Sequence, residues 1–416
     1  MPHTPDIDVL RSQFPALARD TVLLENAGGS QVTLQVADAI RDHLLDDYVQ
    51  LGAGYPASDR ATATVERAHR FMDRFVNGEG IGRVILGSSC TSLMHVLAHS
   101  IARTIRPGDE IVVCEQGHEA NIGCWVELER QGAVIRWWRV NPDTGSLALK
   151  DLESVLSERT RIVAFPHVSN LLGEIVDVQA ATALVHAAGG RVVVDGVAYA
   201  PHRAIDVRAW NVDYYAWSTY KVYGPHMGGL FARHEAIAEL EGPNHFFIPA
   251  DEIPYKFELG GVSHEGCAGL CALPHLLAFL AGDERPAAAD AETCDFDVVR
   301  RAFDTMAALE APVQKRLLER LGAHDSVKII GPESPDIDLR VSTVSMIHDS
   351  LDPRRIVEIA HSAGIGIRHG HMYAHRLCEQ MRIPVDPGVV RISAVHYNTV
   401  SEVERLCDVL EEPLSR

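Results

Sequence analysis

RVVVDGVAYAPHRAIDVRAWNVDYYAWSTYKVYGPHMGGL, residues 191–230, is the stretch on which the fold turns. An apolar run, 191–194, reads as a buried strand and ends at Asp195. A carboxylate there is costly to desolvate unless a cation or several donors meet it. A second run, 214–217, is followed by Ser218, Lys221 and a Gly-Pro turn, and a third spans 229–232. Two strand ends would thus bring an acid and an amine to one crevice, the place where open α/β sheets bind ligands.

Working outward, short apolar runs at 83–86, 110–114, 134–138 and 161–165 precede these strands. Stretches with helical spacing separate them at 91–105, 121–131, 149–158 and 178–188, with Gly132 and Gly189 where C-terminal caps belong. This alternation predicts an α/β fold with a seven-stranded, mostly parallel sheet. A Pro-, Phe- and Gly-rich loop at 242–269 follows, then helices within 272–321. Strands at 327–330, 341–348, 365–368 and 389–395 with a helix at 353–363 predict a small α+β C-terminal domain. The expected division is an N-terminal segment, 1–30, that contributes to the active site and the small domain, a large domain, 31–285, and a small domain, 286–416.

The chain has 416 residues, with 38 Lys plus Arg against 57 Asp plus Glu and a net charge of −19. That excess of acid argues against a nucleic-acid partner. No apolar run reaches the roughly 18 residues of a membrane span, the longest patch being 276–281. The opening MPHTPDIDVL lacks the order of a secretory signal, and eight scattered cysteines form no disulfide framework, so a cytoplasmic location is expected. His95 with His99 and His371 with His375 are spaced for one helix face, but neither pair has an HExxH pattern or a suitably spaced carboxylate, and no metal is expected.

A lysine paired with a buried acid is what pyridoxal phosphate (PLP) requires, the amine forming a Schiff base with its aldehyde and the acid keeping the pyridine nitrogen protonated; a buried Asp paired with an Arg beside a surface Lys is the alternative these residues alone leave open. The loop GSSCTS, residues 87–92, joins a strand to a helix. Its amides and hydroxyls, at Ser89, Cys90 and Thr91, suit a phosphate at a helix N-terminus, although an ordinary cap has the same composition.

The spacing Asp195, then S-x-x-K-x-x-G-P-x-x-G-x-L from Ser218, resembles the cofactor-binding stretch of class V aminotransferases and cysteine desulfurases. LLENAGGSQ (23–31), GHEANIGCW (117–125), SNLLGEIVDV (169–178) and VVRISAVHYNTVSEVERL (389–406) resemble further motifs of that family in the same order. The resemblance implies the PLP-dependent transferase fold of type I. It implies that Lys221 carries the cofactor, Asp195 pairs with its ring nitrogen, His118 stacks on the ring, and Ser218 joins Ser89, Cys90 and Thr91 at the phosphate. It also places Asn170 near the cofactor and the substrate carboxylate, Arg391 on that carboxylate, and Asn26 and Arg368 at the substrate. FELGGVSHEGCAGL (257–270) resembles the segment by which a neighbouring subunit completes the phosphate site, which implies a homodimer with Gly261 at the cofactor.

The resemblance has gaps. RHGHMYAHRLCEQM (368–381) places Tyr373 where desulfurases carry a nucleophilic Cys, while Cys378 reads as a helix core residue. Ala198 stands where Gln or His bonds the ring hydroxyl, Tyr220 where a His precedes the lysine, and Gly261 where a Thr is usual; Tyr199 or a water is the expected substitute at Ala198. The implied activity is a PLP-dependent reaction on an amino acid, foremost carbon–sulfur cleavage with Tyr373 as proton donor or gate. Aminotransferase or epimerase chemistry is the alternative, and a noncatalytic scaffold is the alternative from another class.

Overall fold

The computed structural model describes residues 3–415. Its large sheet has seven strands in the spatial order Gly82–Gly87, Gly228–Arg233, Tyr214–Ser218, Arg191–Asp195, Thr160–Pro166, Glu110–Cys114, Val134–Trp138. Gly228–Arg233 is antiparallel to both neighbours. The remaining pairs are parallel. Glu110–Cys114 and Tyr214–Ser218 are buried at every position, as strands covered on both faces must be. Successive residues feed opposite cores: Val112, Val163 and Val194 join one, and Ile111, Ala164 and Val193 the other.

The sheet follows the expected strands within a residue at each end. Three other expectations change. The stretch 121–131 is not one helix but a turn of 3-10 helix, Glu119–Asn121, a short helix, Gly123–Val126, and a second 3-10 segment, Glu127–Gln131. Trp125 Nε1 donates to Asn121 Oδ1 at 2.8 Å and fixes this tight course. Within the expected loop 242–269, residues His264–Cys271 form a helix capped by Ser263. Its glycines serve packing, since a Cβ at Gly269 would lie 2.9 Å from Ile40 and one at Gly266 2.3 Å from Met227. The run 365–368 splits: Ile365–Gly366 pairs in parallel with Val22–Leu23, and Arg368–Gly370 enters the small sheet.

Residues His264–Ala281 form a helical stretch whose length and composition would allow it to cross a membrane, which the sequence reading missed; 72% of it is buried inside the fold. Its second part, Leu273–Ala281, supplies Leu273, Leu276, Leu277 and Leu280 to the large core.

The small sheet, in the order Arg368–Gly370, Val389–Ser393, Thr343–His348, Val327–Ile330, is antiparallel throughout. Pro353–Ser362 and Val400–Leu414 cover it through Ile356, Leu406 and Leu410. The helix Phe296–Leu321 gives Val299, Phe303 and Met306 to the large core and Val313, Leu317 and Leu321 to the small one. Cys378 is a buried helix core residue with its thiol pushed up to about 11 by burial.

Candidate active site

At the C-terminal ends of the parallel strands lies a cavity lined by Cys90, Thr91, His118, Ala120, Pro166, Val168, Asn170, Asp195, Val197, Ala198, Ser218, Tyr220 and Lys221. Each strand delivers its share just past its last residue, so residues far apart in sequence meet because their strands are neighbours.

Asp195 is buried, and its Oδ1 accepts one hydrogen bond, from the Val197 amide at 2.9 Å. Burial pushes its pKa up, and the Val197 amide and then Lys221 pull it back. Such a carboxylate favours a further positive partner in the cavity. Lys221 ends a 3-10 turn after its strand and makes no hydrogen bond through Nζ among the described residues. Burial, then the charge of Arg391, lower its ammonium to about 8 against the pull of Asp195. About a tenth of this amine is therefore unprotonated and nucleophilic at pH 7, and half of it near pH 8.

His118 Nδ1 accepts the Ala120 amide at 3.0 Å, which leaves any ring proton of the neutral form on Nε2. Burial, then Lys221 and Arg391, hold its pKa down to about 4, so the ring is uncharged at neutral pH. Asn170 donates to the Met372 carbonyl at 2.7 Å, while its Oδ1 has no partner. Gly173, at φ +71, permits the loop that presents Asn170, because a Cβ there would sit 2.3 Å from the Thr343 carbonyl oxygen.

Ser89 caps the helix Cys90–Ala102, its hydroxyl accepting the Ser92 amide at 3.1 Å. The amides of Cys90 and Thr91 lie in the first helical turn, where no acceptor exists within the helix. Gly228 is pressed against this turn; a Cβ there would stand 2.4 Å from the Cys90 nitrogen.

Arg391 is buried on the strand Val389–Ser393. It donates to the Asn170 carbonyl at 3.2 Å and to Glu25 Oε1 at 3.3 Å, and its Nε has no partner. Burial lowers its pKa to about 10. Arg368 stands 3.8 Å from the same Glu25 oxygen. Tyr373 is 60% exposed, with its ring 5.0 Å from that of His118. Met372 and Tyr373 are successive left-handed residues, φ +47 and +61. Non-glycine residues hold that conformation only when fixed from outside. Here Asn170 bonds the Met372 carbonyl, the Glu119 amide donates to the Tyr373 carbonyl at 2.9 Å, and Arg376 grips Glu119 at 3.0 and 3.1 Å.

Two residues expected at the site, Asn26 and Tyr199, take other partners. Asn26, expected at the substrate, instead donates to Leu23, Ser393 and Asn398 and accepts from Tyr397, so its amide is spent joining the N-terminal segment to the small domain. Tyr199, expected to substitute beside Ala198, stacks on His167 with centroids 3.6 Å apart, outside the cavity lining. Gly261, expected at the cofactor of a neighbouring subunit, sits at φ +84 on an exposed loop outside its own chain's cavity. Glu25 and the Glu119–Arg376 clamp are residues that sequence reasoning missed; Glu25 stands directly before Asn26 in a quoted motif, and a lone acid in an apolar segment was the available signal. No three His, Cys, Asp or Glu side chains among the described residues converge to hold a metal.

Residues 22–406 match the family model described as aminotransferase class-V. The chain belongs to this family. The aminotransferase-like protein FGM3 of Gibberella zeae is 37% identical over 413 residues, which cover 97% of this chain and 98% of that protein. The cysteine desulfurase-like protein ustD of Aspergillus flavus is 29% identical over 99% of this chain and 91% of its own length. The fold matches the apo structure of cysteine desulfurase from Thermococcus onnurineus with a TM-score of 0.87 at 23% identity, covering 100% and 99% of the two chains.

Class V aminotransferases are PLP-dependent, and the residues here fit that cofactor. The cavity offers an amine of lowered pKa, a buried carboxylate short of partners, a flat neutral ring, an unpartnered amide oxygen and a helix N-terminus. In this class V member the methyl of Ala198 lines the cavity without offering a hydrogen bond.

Proposed function

We propose that this protein is a PLP-dependent enzyme that cleaves a carbon–sulfur bond at Cβ of an amino acid by elimination, without a cysteine persulfide. The cofactor supplies an electron sink for charge developing at Cα. Lys221 would hold it at rest, and its freed amine, at a pKa of about 8, is the base placed to take the Cα proton. Asp195 would keep positive charge on the ring nitrogen, and the Cys90 and Thr91 amides with Ser218 would hold the phosphate. Arg391 orients the substrate carboxylate through its planar fork. Tyr373 covers the outer edge of His118 and closes the mouth.

One observation carries the elimination reading: Tyr373 stands on a clamped loop over His118, and none of the eight cysteines is exposed. A buried thiol with a raised pKa cannot relay sulfur. Sulfur chemistry itself is supported by the likeness to proteins named as desulfurases or desulfurase-like. The test is a panel of amino acids incubated with holoenzyme, scoring sulfide, pyruvate, alanine and keto acids together. Sulfide with pyruvate supports the reading, and sulfide with alanine or no loss of the side chain contradicts it. Amine transfer is the second reading, favoured by the 37% likeness to an aminotransferase-like protein, and would appear as dependence on a keto acid.

We also propose a homodimer. The loop leading to Gly261 exposes Phe246, Phe247, Tyr255 and Leu259, at 96%, 70%, 43% and 56%. An apolar run of this kind favours a covering partner, and sedimentation of the holoenzyme at twice the chain mass is expected.

A further inference from the structure

Arg391 is a buried guanidinium with few partners. Its side chain is 4% exposed, it meets one carbonyl and one carboxylate, and its Nε is unpaired. The carboxylate belongs to Glu25 of the same chain, and several features hold it there. The Glu25 backbone bridges to Ser393, two residues beyond Arg391. Asn26 staples the adjoining backbone to Ser393 and Asn398. Gly28 leaves the space the side chain fills, because a Cβ there would lie 2.3 to 2.7 Å from the Glu25 carboxylate atoms. Glu25 is nonetheless 34% exposed on its side chain, and Arg368, 55% exposed, stands 3.8 Å away as a second cation to receive it.

We propose that Glu25 is an internal stand-in for the substrate carboxylate, occupying Arg391 in the resting enzyme and moving onto Arg368 when substrate binds. A lone guanidinium buried in the site would be costly without an anion. Glu25 offsets that cost, and every α-carboxylate must then compete with it, so Glu25 sets the affinity for amino acids and turns away weak anions. In this role Arg368 acts through Glu25 and does not itself hold the substrate. The inference rests on the reading of Arg391 as the carboxylate anchor.

The experiment measures propionate, a carboxylate that cannot condense with the cofactor, binding to the holoenzyme by calorimetry, with neutral propionamide as control. Glu25→Gln keeps the shape and removes the competing charge, and tightens propionate by about three- to tenfold. Glu25→Asp keeps the charge but shortens the reach, and gives a smaller gain in the same direction. Arg391→Met loses propionate in both the parent and the Glu25→Gln background. If Glu25→Gln, with an unchanged melting temperature, binds propionate no tighter while Arg391→Met still loses it, the stand-in role is overturned and the anchor stands. If Arg391→Met binds propionate as the parent does, the anchor reading is wrong and this inference goes with it.

Discussion

The two walls of the site are built by different means, and of the second only Asn170 lines the cavity itself. One comes from the large sheet, where the strands Arg191–Asp195 and Tyr214–Ser218 end side by side and deliver Asp195, Ser218 and Lys221. The other sets Arg391 of the small domain, Glu25 of the N-terminal segment, Asn170 of the large domain and the Tyr373 loop against one another by side-chain bonds. The first wall is fixed by backbone pairing and tolerates little choice of position. The second is fixed by contacts between residues as far apart as Glu25 and Arg391, and this chain departs from the desulfurase pattern on both, at Ala198 and Tyr220 on the first and at Tyr373 on the second. In the proposed reading, cofactor chemistry follows from the first wall and substrate choice from the second.

The comparison breaks first at Asp195. Asp195→Ala, which removes the acid from the sheet wall, should lower kcat by about a hundredfold or more while the Lys221 amine still captures PLP. Loss of capture together with turnover would mean that the two roles are not separable. Arg391→Met on the opposite wall should raise KM for amino acids by about thirtyfold to a hundredfold and lower kcat far less. A pure kcat loss would move Arg391 to the cofactor side.

Two smaller effects sharpen the division. Asn26→Ala should cost about 2 kcal/mol in chemical denaturation, because it leaves buried carbonyls unpaired. Once folded, that variant should bind substrate nearly as the parent does, since Asn26 joins segments and does not face the cavity. Tyr373→Phe should keep kcat/KM within about threefold if the ring acts as a cover, whereas Tyr373→Ala should lose about tenfold. A hundredfold loss in the Phe variant would make the hydroxyl a proton donor.

The pH dependence belongs to the sheet wall. Since burial lowers the Lys221 ammonium to about 8, the free amine predominates above that pH and is depleted below it. PLP capture by the apoprotein should therefore accelerate as pH rises, with a midpoint near 8, and His118, held down to about 4, should stay neutral across that range.

The same contrast explains what could be read from the chain itself. The strands and the Asp195–Lys221 pair were legible because apolar runs mark strand ends and sheet topology converts strand order into proximity. Helix His264–Cys271 was hidden because its glycines look like loop residues until Ile40 and Met227 are placed against them. The segment-joining bonds of Asn26 were not legible, because its motif fixes the segment's position but says nothing of which way the amide turns. The Glu119–Arg376 clamp had no local signature, being made by a long-range contact, and a lone acid in an apolar segment was the only sign of Glu25, whose partner Arg391 lies far along the chain.

The most direct test is borohydride reduction of the yellow holoenzyme followed by peptide mass mapping. The mass of the reduced cofactor should appear on the peptide that contains Lys221 and on no other. A label on another lysine, or a protein that takes up no PLP while folded, would contradict the assignment of this cavity.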